Sequence, residues 1–490
     1  MTALRSQSAL RSTMIFAAIM SLTGTAWAQA IFSFGFQGTT QLDNCALGQC
    51  FRSPPDTMGA VGSTQFLETT TGSITVYDKL NGAVLSRTDM PAFWANAGLP
   101  GGASGYQRVL FDHYTNRWIM SGFGPTANLI NVAVSDTADA LGTWRSTRIT
   151  SLPSGTADYP TLSMDDKGVY IGTNNFNPSF MGTNLHIIPK ASLLAAAPST
   201  AGMTTFQTPL ASPDRGFAIQ PALNWQGNPT NTMGVVADGR DFNSQVFYKV
   251  TGVNAAGAVQ TPSINIAGSD YVTAGMGRQP DGTRTVNTLS PRITANAVQY
   301  NGRIYSTTAV AADGAVGDFS AVRWNVVDAT TGALVSTGKI QQTGFDFYQG
   351  AIAVNEFGEA VIAYNRSGFA TNDGNGDGLA DGNISFMARA YDVNAGGALV
   401  QDGAEMLLKV SLIRNYHCTT VTTPCRERWG DYAAVTFDPS NQRRFYAIGE
   451  YAFSNAIIPG FTTTPRSIFS TYIAAITMVP ELPIFADGFE

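Results

Sequence analysis

Apolar and polar positions alternate along this chain in short runs, and each run follows a polar or proline-bearing segment. Such a run, followed by a turn containing Asp or Asn with Gly and then by a second β-rich run, is typical of a β-hairpin. The polar segment is termed a lead-in below, and the run after it an inner strand. The seven examples are PPDTMGAVG, GYQRVLFDHYTNRW, ADYPTLSMDDKGVY, IQPALNWQGN, LSPRITANAVQYNGRIY, FYQGAIAVNEFGEAVIAY and RWGDYAAVTFDPSNQRRFYAIGEY.

The spacing of these units predicts the fold. Marker residues in the seven inner strands, from Gly59 to Ala433, are on average about 62 residues apart. That length suits a four-stranded sheet with generous loops, somewhat longer than the ~40–50 residues of familiar propeller repeats. Seven sheets close into a ring that leaves only short, protected edges, so we predict an all-β, seven-bladed β-propeller. The alternative, a two-domain β-sandwich protein, gives no reason for seven similar lead-ins.

The two ends of the chain predict export and ring closure. Residues 1–28 carry two arginines, an apolar stretch and the Ala26-Trp27-Ala28 pattern of a signal-peptide cleavage site, which indicates secretion to the periplasm, cell surface or medium. Residues 29–480 are predicted to form one propeller domain, and 481–490 a C-terminal tail. The last unit offers three strand-like runs, so the segment IFSFGFQG is predicted to supply its fourth strand. No later stretch reaches the roughly 18 apolar residues that a membrane helix needs.

Four cysteines lie in two close pairs, Cys45 with Cys50 and Cys418 with Cys425. An oxidising compartment makes two short local disulfides the favoured pairing of the three that are possible. Zinc is the weaker interpretation, because neither pair has the two-residue spacing of common zinc knuckles.

Composition and charge limit the classes of binding partner that this protein is expected to have. Hydrophobic residues make up 44% of the chain and charged residues only 13%, with 50 glycines, which is typical of exposed β-rich proteins. The net charge of −6 and the lack of a Lys/Arg-rich run argue against nucleic-acid binding, which needs a basic surface. We expect a monomer with no membrane span.

The loop TNDGNGDGLADGN, residues 371–383, has the ligand pattern of a calcium site. Its side chains occupy positions 1, 3, 5 and 9, a glycine at position 6 allows the sharp turn, and position 7 offers a backbone carbonyl. The predicted ligands are Asp373, Asn375, Asp377, Leu379 and Asp381. Position 12 is Ile384 instead of glutamate, so the loop resembles the calcium loops of integrin-type propeller blades more than a helical calcium hand. The alternative is a solvated turn without an ion.

Signatures of catalysis are scarce. The three histidines, His113, His186 and His417, fall in different repeats, and no Gly-x-Ser-x-Gly, Walker or His-Glu-x-x-His motif occurs. The Asp-box repeats of sialidase propellers are also absent from the sequence. His113 is interpreted as a hydrogen-bonded turn residue.

The lead-ins supply the candidate site. In propellers the loop that enters each inner strand lies at the mouth of the central channel, where ligands usually bind. This expectation comes from the fold alone and not from these residues. The Asp-Tyr pairs of ADYP and RWGDY are proposed as acid/base and proton-transfer or stacking groups, and arginines as binders of an anionic group. The alternative is that each residue caps a turn or pairs with a neighbour. The candidate catalytic residues are Asp158, Tyr159, Asp431 and Tyr432. The candidate ligand-binding residues are Asp56, Arg108, Arg292, Tyr348, Arg428 and Trp429, with Gln220 in the same ring.

A family resemblance supports the fold and the location. The chain resembles a largely uncharacterised group of secreted bacterial propeller-type proteins in the phrases PPDTMGAVG, ITVYDKLNGAVL, VLFDHYTNRWIMSG, VAVSDTADALGTW, DYPTLSMDDKGVYIGTNNF and RWGDYAAVTFDPS. The tail IFADGFE is similar to short C-terminal tails of exported Gram-negative proteins. The resemblance implies a secreted propeller more than any chemistry.

Two classes of function stay open at this point. The first is recognition of an extracellular polymer, above all a glycan, on the axial face of the propeller without catalysis. The second is a glycan-degrading enzyme, either a hydrolase that uses paired carboxylates or a lyase that uses tyrosine and arginine. The pattern of residues favours recognition slightly.

Overall fold

The chain forms a seven-bladed β-propeller, as the spacing of the lead-ins predicts. A computed structural model describes residues 29–50, 53–101, 105–207, 216–315, 317–417 and 427–480. The predicted signal peptide, the C-terminal tail and the Cys418–Cys425 pair lie outside these residues. Within the described ranges, no helix is both long and apolar enough to cross a membrane.

The first three blades follow one another along the chain, and each begins with its inner strand. Blade 1 follows the N-terminal strand β1 (Gln29–Thr40) and helix α1 (Gln41–Ala46); it contains β2 (Met58–Val61), β3 (Gln65–Thr69), β4 (Ser73–Asp78) and β5 (Val84–Asp89). Helix α2 (Met90–Asn96) precedes blade 2, which contains β6 (Arg108–Asp112), β7 (Arg117–Phe123), β8 (Leu129–Ser135) and β9 (Trp144–Thr150). Blade 3 contains β10 (Thr156–Asp158), β11 (Ser163–Met164), β12 (Gly168–Phe176), β13 (Phe180–Pro189), helix α3 (Lys190–Leu193) and β14 (Thr204–Gln207).

Blades 4 and 5 share the run of chain around Pro221. The strand β15 (Phe217–Pro221) belongs to blade 4, whereas the next strand, β16 (Leu223–Asn224), pairs in parallel with the inner strand of blade 5. Blade 4 also contains β17 (Thr232–Asp238), β18 (Gln245–Thr251), β19 (Val259–Gln260) and β20 (Ile264–Asn265). A small hairpin, β21 (Gly277–Arg278) and β22 (Arg284–Val286), leads to β23 (Val298–Tyr300), β24 (Arg303–Ala311), β25 (Ser320–Asp328) and β26 (Leu334–Ile340) of blade 5.

The last two blades bring the chain back to its start. Blade 6 contains β27 (Phe345–Val354), β28 (Glu359–Gly368), β29 (Ser385–Val393) and β30 (Leu399–Val410). Blade 7 contains β31 (Ala434–Asp438), β32 (Asn441–Ala456) and β33 (Arg466–Val479), and its outer strand is β1. β1 pairs antiparallel with β33 from Gln29 opposite Val479 to Thr40 opposite Ser470, so the two ends of the propeller are held in one sheet.

Local contacts hold the segment that follows β1. Thr40 and Asp43 form a capping box at the start of α1, which satisfies backbone N–H groups at that helix end. The predicted Cys45–Cys50 disulfide is confirmed. Cys50 packs with Ile458 and Ile468 of the last blade, so the bridge lies at the seam of the ring.

Apolar side chains fill the spaces between neighbouring blades. Blades 1 and 2, for example, bury Leu67, Val76, Trp94 and Trp118 against one another. Close packing leaves no room for a side chain at Gly62, where an added Cβ would lie 2.6 Å from the Trp118 ring. Burying a large apolar side chain contributes roughly 1.5–3 kcal/mol, so each interface stabilises both of the blades that form it.

Every lead-in turns into its inner strand through a residue with left-handed backbone. Six of these residues are not glycine, and the seventh is Gly430 with φ of 104°. Such φ values are uncommon outside glycine, and a single case often marks a functional site. Because the conformation recurs in every blade, here it belongs to the architecture. The six are Asp56, Tyr106, Tyr159, Ala218, Leu289 and Gln349, with φ between 48° and 58°.

On the opposite end of the axis, the turns after the inner strands are linked between blades by buried ion pairs. Lys79 of blade 1 lies 2.7 Å from Asp438 of blade 7, and Lys190 of blade 3 lies 2.8 Å from Asp112 of blade 2. All four side chains are at most 5% exposed. The Lys79–Asp438 pair therefore crosses the same seam that β1 closes.

We expect Lys79→Ala to lower the free energy of unfolding by about 3–5 kcal/mol, because it leaves the Asp438 carboxylate buried without its cation. Urea denaturation would measure the change. The control is Arg145→Ala, which removes an ion pair to Asp136 from a side chain that is 46% exposed and should cost less than about 1 kcal/mol. Equal effects of the two substitutions would contradict the role given to the buried pair.

Candidate functional site

The candidate site is the end of the axis where the lead-ins meet, termed the lead-in mouth. Its accessible polar groups are the half-buried Tyr106, Asp158 and Arg292 and the exposed Arg428, which come from blades 2, 3, 5 and 7. The fold brings these four lead-ins together because each enters an inner strand at the same end of the ring.

Two tyrosines cross the axis directly beneath this mouth. Tyr159 donates its hydroxyl to the backbone carbonyls of Ile293 (3.1 Å) and Asp431 (3.0 Å), and so links blades 3, 5 and 7. Tyr432 donates to the carbonyl of Pro160 at 2.9 Å, and the two rings lie 5.0 Å apart. Both side chains are 1% exposed. The structure therefore places these two predicted catalytic groups inside the protein, where they join blades.

Arg108 lies deeper on the axis, below Tyr432. Its guanidinium carbon is 4.5 Å from the centre of the Tyr432 ring, and its Nη2 donates to Asn296 Oδ1 at 3.1 Å. Asn296 in turn donates to the carbonyl of Leu162 at 2.6 Å. Burial lowers the pKa of Arg108, which is 0% exposed. This predicted ligand-binding residue thus lies away from the surface, in contact with protein groups.

Three carboxyl groups form a buried cluster beside the tyrosines, and one of them was not predicted. Asp431 donates its backbone N–H to Asp56 Oδ1 at 3.0 Å, and both Asp431 carboxylate oxygens accept from Arg428 Nη2, at 2.8 and 2.9 Å. The third group is Glu450 of β32, whose Oε2 has no hydrogen-bond partner within the described residues. The three side chains are at most 5% exposed.

Burial makes two of these groups hard to ionise. Desolvation, and then the charge of Asp431, raises the pKa of Asp56 well above its ordinary 3.8. Desolvation, followed by the charges of Asp56 and Asp431, raises the pKa of Glu450 well above 4.5. Arg428 lies against the Asp431 carboxylate, whereas burial favours the neutral forms of Asp56 and Glu450.

The accessible groups of the mouth differ from this buried layer. The Arg292 guanidinium carbon lies 5.3 Å from the rings of both Tyr159 and Phe217, and Arg292 forms no ion pair within the described residues. Arg428 is 43% exposed on its side chain. Desolvation, and then the charge of Asp431, raises the pKa of Asp158, although Arg292 and Arg428 lower it in part.

The remaining predicted ring residues are buried between blades. Tyr348 and Trp429 are at most 1% exposed and pack in one cluster, where Trp429 meets Tyr416 edge to face at 4.9 Å. Gln220 donates to the carbonyl of Ile293 at 3.1 Å. These three side chains therefore contact protein groups and do not line the mouth.

The predicted calcium loop joins β28 to β29, and a strand follows it as expected. The carboxylate of Asp373 accepts the backbone N–H groups of Gly376, Asp377 and Gly378, which bends the loop around that side chain. The Asp381 carboxylate accepts from the N–H of Gly374. The donor types and their order fit calcium, which prefers oxygen ligands. As the described side chains stand, no group of three or more His, Cys, Asp and Glu residues is gathered closely enough to hold a metal.

Comparison with known proteins yields only distant structural likeness. No protein-family model and no curated protein matches the sequence. Among solved structures, the chain is similar to the β-propeller domain of the Trilobed protease from Pyrococcus furiosus, with a TM-score of 0.39 and 8% identity over 90% of this chain and 94% of that one. For the Dos1 propeller the TM-score is 0.38, with 9% identity over 93% and 96%. For the α-L-arabinofuranosidase Arb93A from Fusarium graminearum it is 0.32, with 9% identity over 64% and 91%. Likeness at this level gives no information about function.

The raised pKa of Glu450 predicts how stability changes with pH. A carboxyl group whose pKa is higher in the folded than in the unfolded protein stabilises the fold below its unfolded pKa, and this contribution is lost as pH rises. We therefore expect stability to fall from about pH 4.5 upward, by up to about 1.4 kcal/mol per pH unit for each proton involved. Glu450→Gln should flatten that slope, as measured by urea denaturation across pH 4 to 9.

The control is Asp313→Asn, which neutralises a carboxyl group at an exposed position. It should leave the slope of the wild type unchanged. Parallel pH profiles for the wild type and Glu450→Gln would show that Glu450 does not hold an additional proton in the folded state.

Proposed function

We propose that this protein is a secreted propeller that binds an acidic extracellular glycan at the lead-in mouth. The observation that carries the proposal is the state of Arg292. Its guanidinium is half-buried, held near two aromatic rings, and free of any ion pair within the described residues. A guanidinium that is oriented in advance and forms no direct ion pair is well suited to bind a carboxylate or sulfate through two hydrogen bonds.

The neighbours of Arg292 suit a glycan in particular. Arg428 offers a second cation at the same mouth, Asp158 can accept hydrogen bonds from sugar hydroxyls, and Tyr106 presents a half-buried ring. Cations, an acceptor and an aromatic edge together match the carboxylates, hydroxyls and apolar faces of a uronic acid polymer. Secretion, which this function requires, agrees with the N-terminal sequence and with the Cys45–Cys50 disulfide.

Binding is favoured over cleavage by the state of the acids. Asp431 is neutralised by Arg428, and Asp56 and Glu450 lie buried beneath the mouth. One observation favours glycan cleavage as the second candidate: burial, and then the charge of Asp431, raises the pKa of Asp158, and the Asp431 carboxylate pairs with Arg428. Glycoside hydrolases usually use a pair of carboxyl groups, one of which has a raised pKa and acts as the acid.

Calcium has a structural role in this proposal. Bound by Asp373, Asn375, Asp377, Asp381 and the Leu379 carbonyl, the ion would add a rigid point to the connection between the second and third strands of blade 6. The chemistry it supplies there is charge neutralisation of three carboxylates. The loop lies on an exposed hairpin, apart from the buried acid cluster.

The first test of the proposal uses polygalacturonate and alginate as probes. We expect the wild type to bind at least one of them, with an affinity that falls as salt is added because ion pairs are screened. Arg292→Ala should weaken binding by about tenfold or more, since a hydrogen bond to a charged group contributes roughly 1.5–3 kcal/mol. Calorimetric titration would measure both effects.

The controls separate binding from stability and from cleavage. Arg466→Ala removes an exposed arginine from an outer region of blade 7 and should leave affinity unchanged. Failure of both polymers to bind, or equal affinity in the wild type and Arg292→Ala, would rule out the proposed site. Release of reducing ends that disappears in Asp158→Asn, with thermal stability unchanged, would establish cleavage in place of simple binding.

The calcium proposal has its own test. Calcium at ten times its dissociation constant should stabilise the protein by only about 1.4 kcal/mol, so we expect a small rise in melting temperature. Asp377→Ala should abolish the rise, whereas Asp313→Ala, which removes an exposed aspartate of another loop, should retain it. Identical melting curves in calcium and in chelator would refute the site.

A further inference from the structure

A cavity lies at the end of the axis opposite the lead-in mouth, among the turns that follow the inner strands. Its volume is about 420 Å³, and it is termed the distal pocket. Blades 2, 4, 5, 6 and 7 all contribute to its lining, which only the axis of the ring permits. Pockets of ~300–1,000 Å³ are of the size that holds small ligands.

The wall of the distal pocket is aromatic. The Trp225 ring lies 4.8 Å from the ring of His113, tilted by 40°, and meets Phe437 nearly edge to face at 6.0 Å. Tyr114 extends the surface, with its ring 4.2 Å from that of His113. Trp225 thus reaches across the axis from blade 4 to blade 7, and it is only partly buried. A ligand in the pocket would therefore contact the accessible part of this aromatic wall.

Some polar groups of the distal pocket form hydrogen bonds within the protein. Tyr114 donates its hydroxyl to the carbonyl of Asn224 and accepts the N–H of Gly227. The amide of Asn355 donates to Glu359 and to the carbonyl of Gln442. These groups close the turns and hold the wall in place.

Three other polar side chains of the pocket have atoms that are free to bind a ligand. Within the described residues, neither the Gln299 amide nor the Glu356 carboxylate has a hydrogen-bond partner. Gln442 accepts the N–H of Glu356 through Oε1, which leaves its Nε2 free. Donors and acceptors of hydrogen bonds are therefore available beside the aromatic wall.

The charge of the distal pocket excludes the ligand class proposed for the lead-in mouth. No arginine or lysine is among its lining residues, and Glu356 carries a negative charge. Lys190 lies over the Tyr114 ring, 4.8 Å from its centre, but is paired with Asp112 at 2.8 Å. Burial lowers the pKa of His113, so this ring is neutral at pH 7. Uronates, phosphates and sulfates are disfavoured here.

We propose that the distal pocket binds one neutral sugar residue, a hexose or pentose, through stacking on Trp225 and hydrogen bonds to Gln299, Glu356 and Gln442. Sugar rings have an apolar C–H face and a rim of hydroxyl groups, and the pocket offers an aromatic face beside free amide and carboxylate groups. This inference does not depend on an acidic ligand at the lead-in mouth. The protein would then hold carbohydrate at both ends of its axis.

The test uses methyl glycosides of glucose, galactose, mannose, xylose, arabinose and N-acetylglucosamine as probes. We expect saturation-transfer NMR to detect binding of at least one of them to the wild type below about 20 mM. The double variant Gln299→Ala/Gln442→Ala should weaken that binding by about tenfold, because two hydrogen bonds are lost. Both side chains line solvent-accessible space, so the fold should persist, and melting temperature would verify this.

Two controls identify the site. Gln401→Ala changes an exposed glutamine of the outer strand of blade 6, and Arg292→Ala changes the other end of the axis; both should retain wild-type affinity for the glycoside. The proposal is overturned if no glycoside binds, if the double variant binds as well as the wild type, or if tetramethylammonium displaces the sugar at lower concentration than any glycoside does. The last result would identify the aromatic wall as a cation site.

Discussion

The structure depends on one constraint: each sheet has two apolar faces, and in this chain a closed ring of sheets buries both. Neighbouring blades share apolar clusters such as that of Leu67, Val76 and Trp118, so removing one blade would expose the faces of two others. The ring in turn requires that its first and last elements be joined. Three contacts meet that need at one seam: the pairing of β1 with β33, the packing of Cys50 on blade 7, and the buried Lys79–Asp438 pair.

Closure of the ring also determines where a ligand can reach the central axis. Seven inner strands leave a gap that side chains must fill or that water must enter. Tyr159, Tyr432 and Arg108 fill it near the lead-in mouth, and Trp225 fills it at the other end. The tyrosine hydroxyls bond to backbone carbonyls of blades across the axis, so these residues fix the blades at their centre as the apolar clusters fix them further out. Ligands can consequently reach the axis only at its two mouths.

The sequence was sufficient to predict the number of blades and the end at which the lead-ins meet, because both follow from repetition along the chain. It could not separate the accessible from the buried residues of the lead-ins. Asp158 and Tyr159 are adjacent in the chain, yet Asp158 borders the mouth and Tyr159 crosses the axis, where its hydroxyl bonds to carbonyls of other blades. Glu450 was missed because it lies in mid-strand; its only signal is a lone acid within an apolar run, AIGEYA.

The distal pocket, too, could not be predicted from the sequence. His113 was interpreted correctly as part of a turn, but the turns of five blades converge at the axis, and no pattern in one repeat reveals what the others place beside it. That convergence gives the two mouths opposite electrostatic character. One presents Arg292 and Arg428 above a cluster of acids in which burial raises the pKa of Asp56 and Glu450, and the other presents Glu356 beside uncharged rings. This difference in charge would disfavour, at each mouth, the ligand proposed for the other, so the two proposed sites would not compete for one ligand.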